Sequence, residues 1–156
     1  ALYLYSREDY AFWAARDVAT GPGMFGENLT VSGIESADLC IGDRLAVGDV
    51  VLEVTSSRIP CATFARRMGD PGFVKKFRDA GRPGAYLRVV AEGYLETGQA
   101  IELIPFAGDR ISLGEHFALV FMAMKKPLPR EMITRLLALP LAERDRADNL
   151  ERLAAL

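Results

Sequence analysis

The stretch Leu45-Ala-Val-Gly-Asp-Val-Val-Leu-Glu-Val-Thr-Ser-Ser-Arg-Ile-Pro-Cys61 decides the fold. Leu45–Val47 and Val50–Thr55 are β-rich runs separated by two residues, Gly48-Asp49. A glycine at the first turn position supplies the positive φ of a type II′ turn, so the stretch predicts a β-hairpin. Its second strand runs out into a loop that reaches Cys61.

Outward from this hairpin the chain continues in short elements. Residues 1–5 read as a strand. Ser6 with Asp9 three residues later predicts a capped helix over Ser6–Arg16, with Tyr10, Trp13 and Ala14 as its apolar stripe. Gly21-Pro-Gly23 ends it. Phe64–Ala80 mixes charged and apolar residues at helical spacing, with Phe73, Val74 and Phe77 facing inward. Ala85–Ala91 and Ala100–Ile104 are further strands, with a turn at Thr97-Gly98. Short strands with Gly-rich turns predict a mainly β fold with some helix, a small barrel or sandwich. The texture changes near residue 111. Ser112-Leu-Gly-Glu115 is a capping box, and Leu113, Phe117, Val120, Phe121 and Met124 recur at helical spacing. Lys125-Lys126 fall in that helix's expected last turn. Helices over Pro129–Leu139 and Leu141–Leu156 complete a three-helix unit. The expected division is 1–108 for the β domain and 109–156 for the helices.

Half of the 156 residues are apolar and the formal net charge is −2. This composition argues against a nucleic-acid polymer as partner. No apolar run approaches the roughly 20 residues a membrane span needs. With no signal-peptide pattern and only Cys40 and Cys61, a reducing, cytoplasmic location with free thiols is expected.

Cys61 is the first candidate for chemistry. Arg58, Arg66 and Arg67 lie close in sequence, and cationic neighbours favour a thiolate, which is both nucleophile and metal ligand. A structural zinc site needs about four protein ligands. Two cysteines and His116 do not supply them, nor do they support a cysteine-held iron–sulfur cluster. One soft thiolate suits a metal that arrives with its own organic ligand. The alternative reading is a small buried hydrophobe. Cys40, between apolar residues, reads as core, and His116 as a surface or packing residue. In Gly23–Thr30, Gly26 permits close backbone approach, while Glu27 and Asn28 offer polar groups; the simpler reading is a turn. Arg82 and Arg88 bracket a turn into a strand and could grip phosphate or carboxylate, or stand solvated.

Phe25-Gly-Glu-Asn-Leu-Thr30, Ile41-Gly-Asp43, Leu52-Glu-Val-Thr followed by Ile59-Pro-Cys61, and Gly81 through Gly84, Tyr86 and Arg88-Val89 together resemble the MOSC domain family, in its stand-alone bacterial branch. The helical tail resembles the unit that follows the domain in that branch. The resemblance implies a barrel-like fold that binds the molybdenum cofactor (molybdopterin). Cys61 matches the position that ligates molybdenum. Gly26, Glu27, Asn28, Arg82 and Arg88 match segments around the cofactor, and Arg58, Arg82 or Arg88 would meet its phosphate. The implied activity is an oxidoreductase reducing N-hydroxylated small molecules of the hydroxylaminopurine or amidoxime type. A separate electron-donor reductase is expected, because no flavin, haem or iron–sulfur motif is present. The alternatives are a non-catalytic carrier of cofactor or sulfur, or a metal-free thiol protein, and a homodimer is left open. The family usually carries a His-Gly-Gly segment just before the strand matching residues 1–5; this chain begins after that point.

Overall fold

The computed structural model describes residues 1–156. Its strands are β1 (Leu2–Ser6), β2 (Leu29–Val31), β3 (Arg44–Val47), β4 (Val50–Ser57), β5 (Ala85–Ala91) and β6 (Glu102–Ile104). They form one sheet in the order β2-β1-β5-β4-β3-β6. Only β1 and β2 pair in parallel; the other neighbours are antiparallel. The sheet curls into a half-barrel with β2 and β6 as its edges.

The predicted hairpin forms. Val47 faces Val50 across Gly48-Asp49, and Gly48 has φ 57° while Asp49 stays out of the positive region. That is the type II′ pattern. β4 is buried along its length except at the half-buried Val51. Its register against β5 shifts at Thr55: Val54 faces Leu87 and Ser56 faces Tyr86. The extra residue is a β-bulge, which re-aims the side chains that follow.

The helices are α1 (Arg7–Ala14), α2 (Ala62–Arg67), α3 (Phe73–Ala80), α4 (Leu113–Ala123), α5 (Arg130–Leu137) and α6 (Glu143–Ala154). Ser6 Oγ accepts the Asp9 N–H at 3.0 Å and Ser112 Oγ accepts the Glu115 N–H at 3.1 Å, so both predicted caps form. Three expectations change. The helical run Phe64–Ala80 is two helices, because Gly69 turns left-handed (φ 65°) and Pro71 lacks an N–H to continue the ladder. α4 ends at Ala123, so Lys125-Lys126 lie beyond it. Met124 and Ala14, expected inward, are exposed. No helix is long and apolar enough to cross a membrane.

The core has two parts. An aliphatic part joins Leu52, Val54 and Leu87 of the sheet to Leu113, Leu119, Ile133 and Leu136 of the helices, and runs past residue 108 without interruption. An aromatic part gathers Tyr3, Tyr5, Tyr10, Trp13, Phe25, Phe64, Phe73, Phe77 and Phe117. Cys40 is buried, bridged to Ser112 across a short antiparallel contact.

One tight approach locks β5 to β1. Gly84 has φ 69°, and a β-carbon there would lie 2.5 Å from the Tyr3 hydroxyl and 2.7 Å from the Leu4 carbonyl. Gly33 has φ 89° with open space around it. Gly33→Ala should therefore cost only the backbone penalty of about 1–2 kcal/mol. Gly84→Ala should add overpacking of about 1–3 kcal/mol. Urea unfolding of the two variants checks this; equal midpoints would show that the approach is not tight.

Candidate functional site

β4 ends at Ser57, and Arg58-Ile-Pro carry the chain to Cys61 at the N-cap position of α2. Cys61 is exposed and free. Its sulfur closes no capping hydrogen bond, but the Thr63 and Phe64 amides of the first turn act on it. The Phe64 N–H is the main influence holding the thiol below its ordinary pKa, and burial opposes it. The Thr63 amide and hydroxyl and the Arg58 guanidinium act in the same direction as Phe64. Cys40 is the reverse case: burial and Asp43 push its thiol up.

Of the three arginines near Cys61 in sequence, only Arg58 contributes to this. Its guanidinium lies over the Phe64 ring at 4.1 Å and the Tyr3 ring at 4.7 Å, and donates to the Phe25 carbonyl. A planar, weakly hydrated cation suits such stacking. Arg67 reaches back to the Met24 and Gly23 carbonyls at 2.8 and 2.7 Å. Arg66 is exposed.

These bonds seat the Gly21–Asn28 loop beside α2. Gly26 sits there with φ 80° and open space where a side chain would be. Glu27 Oε1 accepts from the Tyr10 hydroxyl at 2.8 Å, the Gly23 N–H at 2.7 Å and the Thr30 hydroxyl at 2.9 Å. Its Oε2 is buried without a partner. Asn28 Oδ1 accepts the Tyr3 N–H, and the Asn28 N–H donates to the Tyr3 carbonyl, both at 2.8 Å. Glu27 and Asn28 thus commit polar groups to building the loop. Arg58 links the two stretches: its charge acts on Cys61 and its guanidinium holds the Phe25 carbonyl, next to Gly26.

The other two candidate arginines are engaged elsewhere. Arg82 pairs with Asp9 at 3.0 Å and Glu35 at 3.1 Å, and lies over Phe12 at 4.5 Å. Asp9 is fully buried and also accepts from the Ser6 hydroxyl and the Ser36 N–H, so Arg82 neutralises a buried carboxylate. Arg88 pairs with Glu53 at 3.5 Å and donates to the Leu141 carbonyl at 2.9 Å. Its partner Glu53 is four residues down β4 from Ser57, about 13 Å along the strand. A cavity of about 460 Å³ lined by Glu8, Glu35, Asp38 and Leu103 contains none of these candidates.

His116, read from the sequence as a surface or packing residue, is a packed one, but its polar partners were not foreseen. It is buried, with Nδ1 2.9 Å from Ser57 Oγ and 3.4 Å from the Ser57 nitrogen. Two Ser57 donors converging on Nδ1 leave the ring proton on Nε2, which faces Asp145 Oδ2 at 3.6 Å. Burial holds the imidazole below its ordinary pKa, and Asp145 pulls it the other way. Its only sequence signal is a lone histidine beside an inward phenylalanine, while its partners lie 59 and 29 residues away.

A model of the MOSC domain matches residues 1–102. The chain belongs to the MOSC family. This MOSC chain is 36% identical over 107 residues to YflK of Bacillus subtilis (strain 168), a match covering 67% of the chain and 48% of YflK. It is 32% identical over 109 residues to a protein named Reductase from Gibberella moniliformis, covering 67% of the chain and 19% of that protein. The crystal structure of YiiM from Geobacillus stearothermophilus shares its fold with a TM-score of 0.88 at 26% identity, covering 98% of this chain and 78% of that one. The chain spans half or less of the length of these curated relatives. MOSC domains are associated with molybdenum-cofactor binding. The donor set here suits such a group. No three His, Cys, Asp or Glu side chains are grouped to hold a metal alone, while Cys61 presents one exposed, acidified thiol.

Iodoacetamide should modify Cys61 roughly ten-fold or more faster than Cys40 in the folded protein. Because the Cys61 pKa is lowered, its thiolate persists as pH falls through the ordinary thiol range near about 8.5, so its rate should decline only at lower pH. Peptide mass spectrometry against pH reads this; equal rates would contradict the assigned exposure. Arg82→Ala should cost about 3–5 kcal/mol in urea unfolding, because it strands the buried Asp9. Arg88→Ala, removing a half-exposed partner, should cost about 1 kcal/mol or less. Similar losses would refute the structural role of Arg82.

Proposed function

We propose that this MOSC chain binds the molybdenum cofactor through Cys61 and acts as an oxidoreductase on N-hydroxylated small molecules. The observation that carries the reading is a single exposed thiol of lowered pKa, set beside a rigid loop in a chain without any other grouped metal donors. Soft thiolate ligation suits a metal bound mainly by an organic scaffold. When bound, the cofactor supplies two-electron redox chemistry.

The chain's own residues supply attachment and shape. Cys61 is the protein ligand. Arg58, fixed between two rings, adds positive charge beside it without a carboxylate to cancel it. Gly26 leaves room for a group to approach the loop backbone. Glu27 and Asn28 hold that loop in place, and Arg82 is engaged by Asp9 and Glu35. Arg88 lies too far along the sheet to serve as a first choice for a cofactor phosphate.

The overall reaction is R–NHOH + 2 e⁻ + 2 H⁺ → R–NH2 + H2O. The N–O bond breaks, and the electrons come from a separate reductase. The Gibberella relative is named Reductase, which supports redox chemistry as the class. The two free cysteines suit a reducing, cytoplasmic compartment.

Protein produced with cofactor supplied should carry about one molybdenum per chain, and Cys61→Ala should lose most of it. Loaded protein should reduce 6-hydroxylaminopurine or benzamidoxime when a flavin reductase and NADPH are added, with no turnover in the Cys61→Ala variant. Equal molybdenum in both proteins would overturn Cys61 as the ligand. Stable loading without turnover of either substrate would instead make the chain a cofactor-carrying module.

A further inference from the structure

We propose that His116 and Asp145 are positioning residues for Cys61: through Ser57 and Ser56 they fix the end of β4 from which the cysteine segment departs. The functional meaning of this rests on Cys61 as ligand, but the tether itself is independent of any metal.

Four consecutive residues are each tied down. The Thr55 carbonyl accepts the Ala142 N–H at 3.0 Å. The Ser56 hydroxyl donates to the Asp145 carboxylate. The Ser57 hydroxyl and N–H both point at His116 Nδ1. Arg58 donates to the Phe25 carbonyl. The first three ties go to the C-terminal helices and their connection, the fourth to the loop that carries Gly26. The two helical anchors also meet each other, His116 Nε2 facing Asp145 Oδ2. Asn149, one turn along α6, donates to the Asp145 carbonyl at 2.8 Å.

The sequence of β4 changes character where these ties begin. Val50 to Val54 are apolar apart from Glu53, and Thr55-Ser-Ser follow. Ser57 and His116 are 1% and 2% exposed, where packed apolar residues would be the default. Buried polar groups tolerate few alternative arrangements, since each lost partner costs about 1–3 kcal/mol. A hydrogen-bonded chain there therefore holds one geometry more sharply than apolar packing would. The bulge at Thr55 sets the strand's alternation for this purpose, and Cys61 stands only four residues beyond Ser57.

Hydrogen exchange of the intact, metal-free chain tests the proposal. In His116→Ala, exchange of amides between Ser57 and Phe64 should rise about ten-fold, while the β1–β5 ladder keeps its protection. Ser57→Ala should reproduce the local rise. His116→Asn, which places an amide oxygen near the Nδ1 position, should restore most of the protection. An increase spread evenly over sheet and helices, no local increase, or failure of the asparagine variant to rescue would each overturn the tether. If the exchange pattern appears but molybdenum loading ignores Cys61, the tether stands and the cofactor reading fails. If loading needs Cys61 but the exchange pattern is absent, the reverse holds.

Discussion

Burial of Phe25 organises the region around Cys61. Its ring lies 4.8 to 6.1 Å from those of Tyr5, Tyr10, Trp13, Phe64, Phe73 and Phe77. Those six rings come from β1, α1, α2 and α3, so one side chain on a loop draws four elements to one point. Removing such a ring from a packed core costs about 3–5 kcal/mol, and the edge-to-face pairs add to what burial alone contributes. The backbone follows the ring. With Phe25 seated, its carbonyl is placed to accept from Arg58, and the carbonyls of Gly23 and Met24 accept from Arg67. Cys61, three residues before Phe64, is carried into position by the same packing.

Much of the fold could be read locally. Gly48-Asp49 between β-rich runs specified the hairpin, and Ser6 and Ser112 specified two helix starts. Each is a signal contained within about six residues. Cys40 reads as core from its apolar neighbours and is buried, whereas the flanking sequence left Cys61 open between a reactive thiol and a buried hydrophobe; the structure exposes it. The cause of the Cys61 acidity was harder. Three nearby arginines suggested a cationic origin, whereas the main influence is the Phe64 amide. That amide is available only because α2 starts at Ala62, ahead of the helical pattern visible from Phe64. Asp70-Pro-Gly72 similarly hid a break inside what looked like one amphipathic run.

Polar partnerships across long separations were not legible. Arg82 and Arg88 look alike in sequence, each near a turn and a strand. The fold gives one a fully buried carboxylate with no other cation, and the other a buried carboxylate, Glu53, that Arg44 also pairs at 3.1 Å. This difference follows from Asp9, whose burial is decided by the Ser6 cap, the Ser36 amide and the packing of α1, none of which lies near residue 82. Glu27 is a similar case. The residues alone read as a turn and the family resemblance set Glu27 near a cofactor; neither showed that three donors converge on one of its oxygens from within the protein.

The site proposed at Cys61 would have one protein ligand, which places unusual demands on its surroundings. A single sulfur sets where a bound group attaches but leaves its orientation free, so orientation must come from surfaces that do not move. On one side that surface is the Gly21–Asn28 loop, fixed by Phe25, Arg58, Arg67 and Glu27. On the other it is the end of β4, which a free strand terminus would leave to fray. The C-terminal helices remove that freedom through Ala142, Asp145 and His116. The three helices are therefore more than a cover for the aliphatic core. They hold the end of β4, as the loop, through Arg58 and Arg67, holds the segment that follows it.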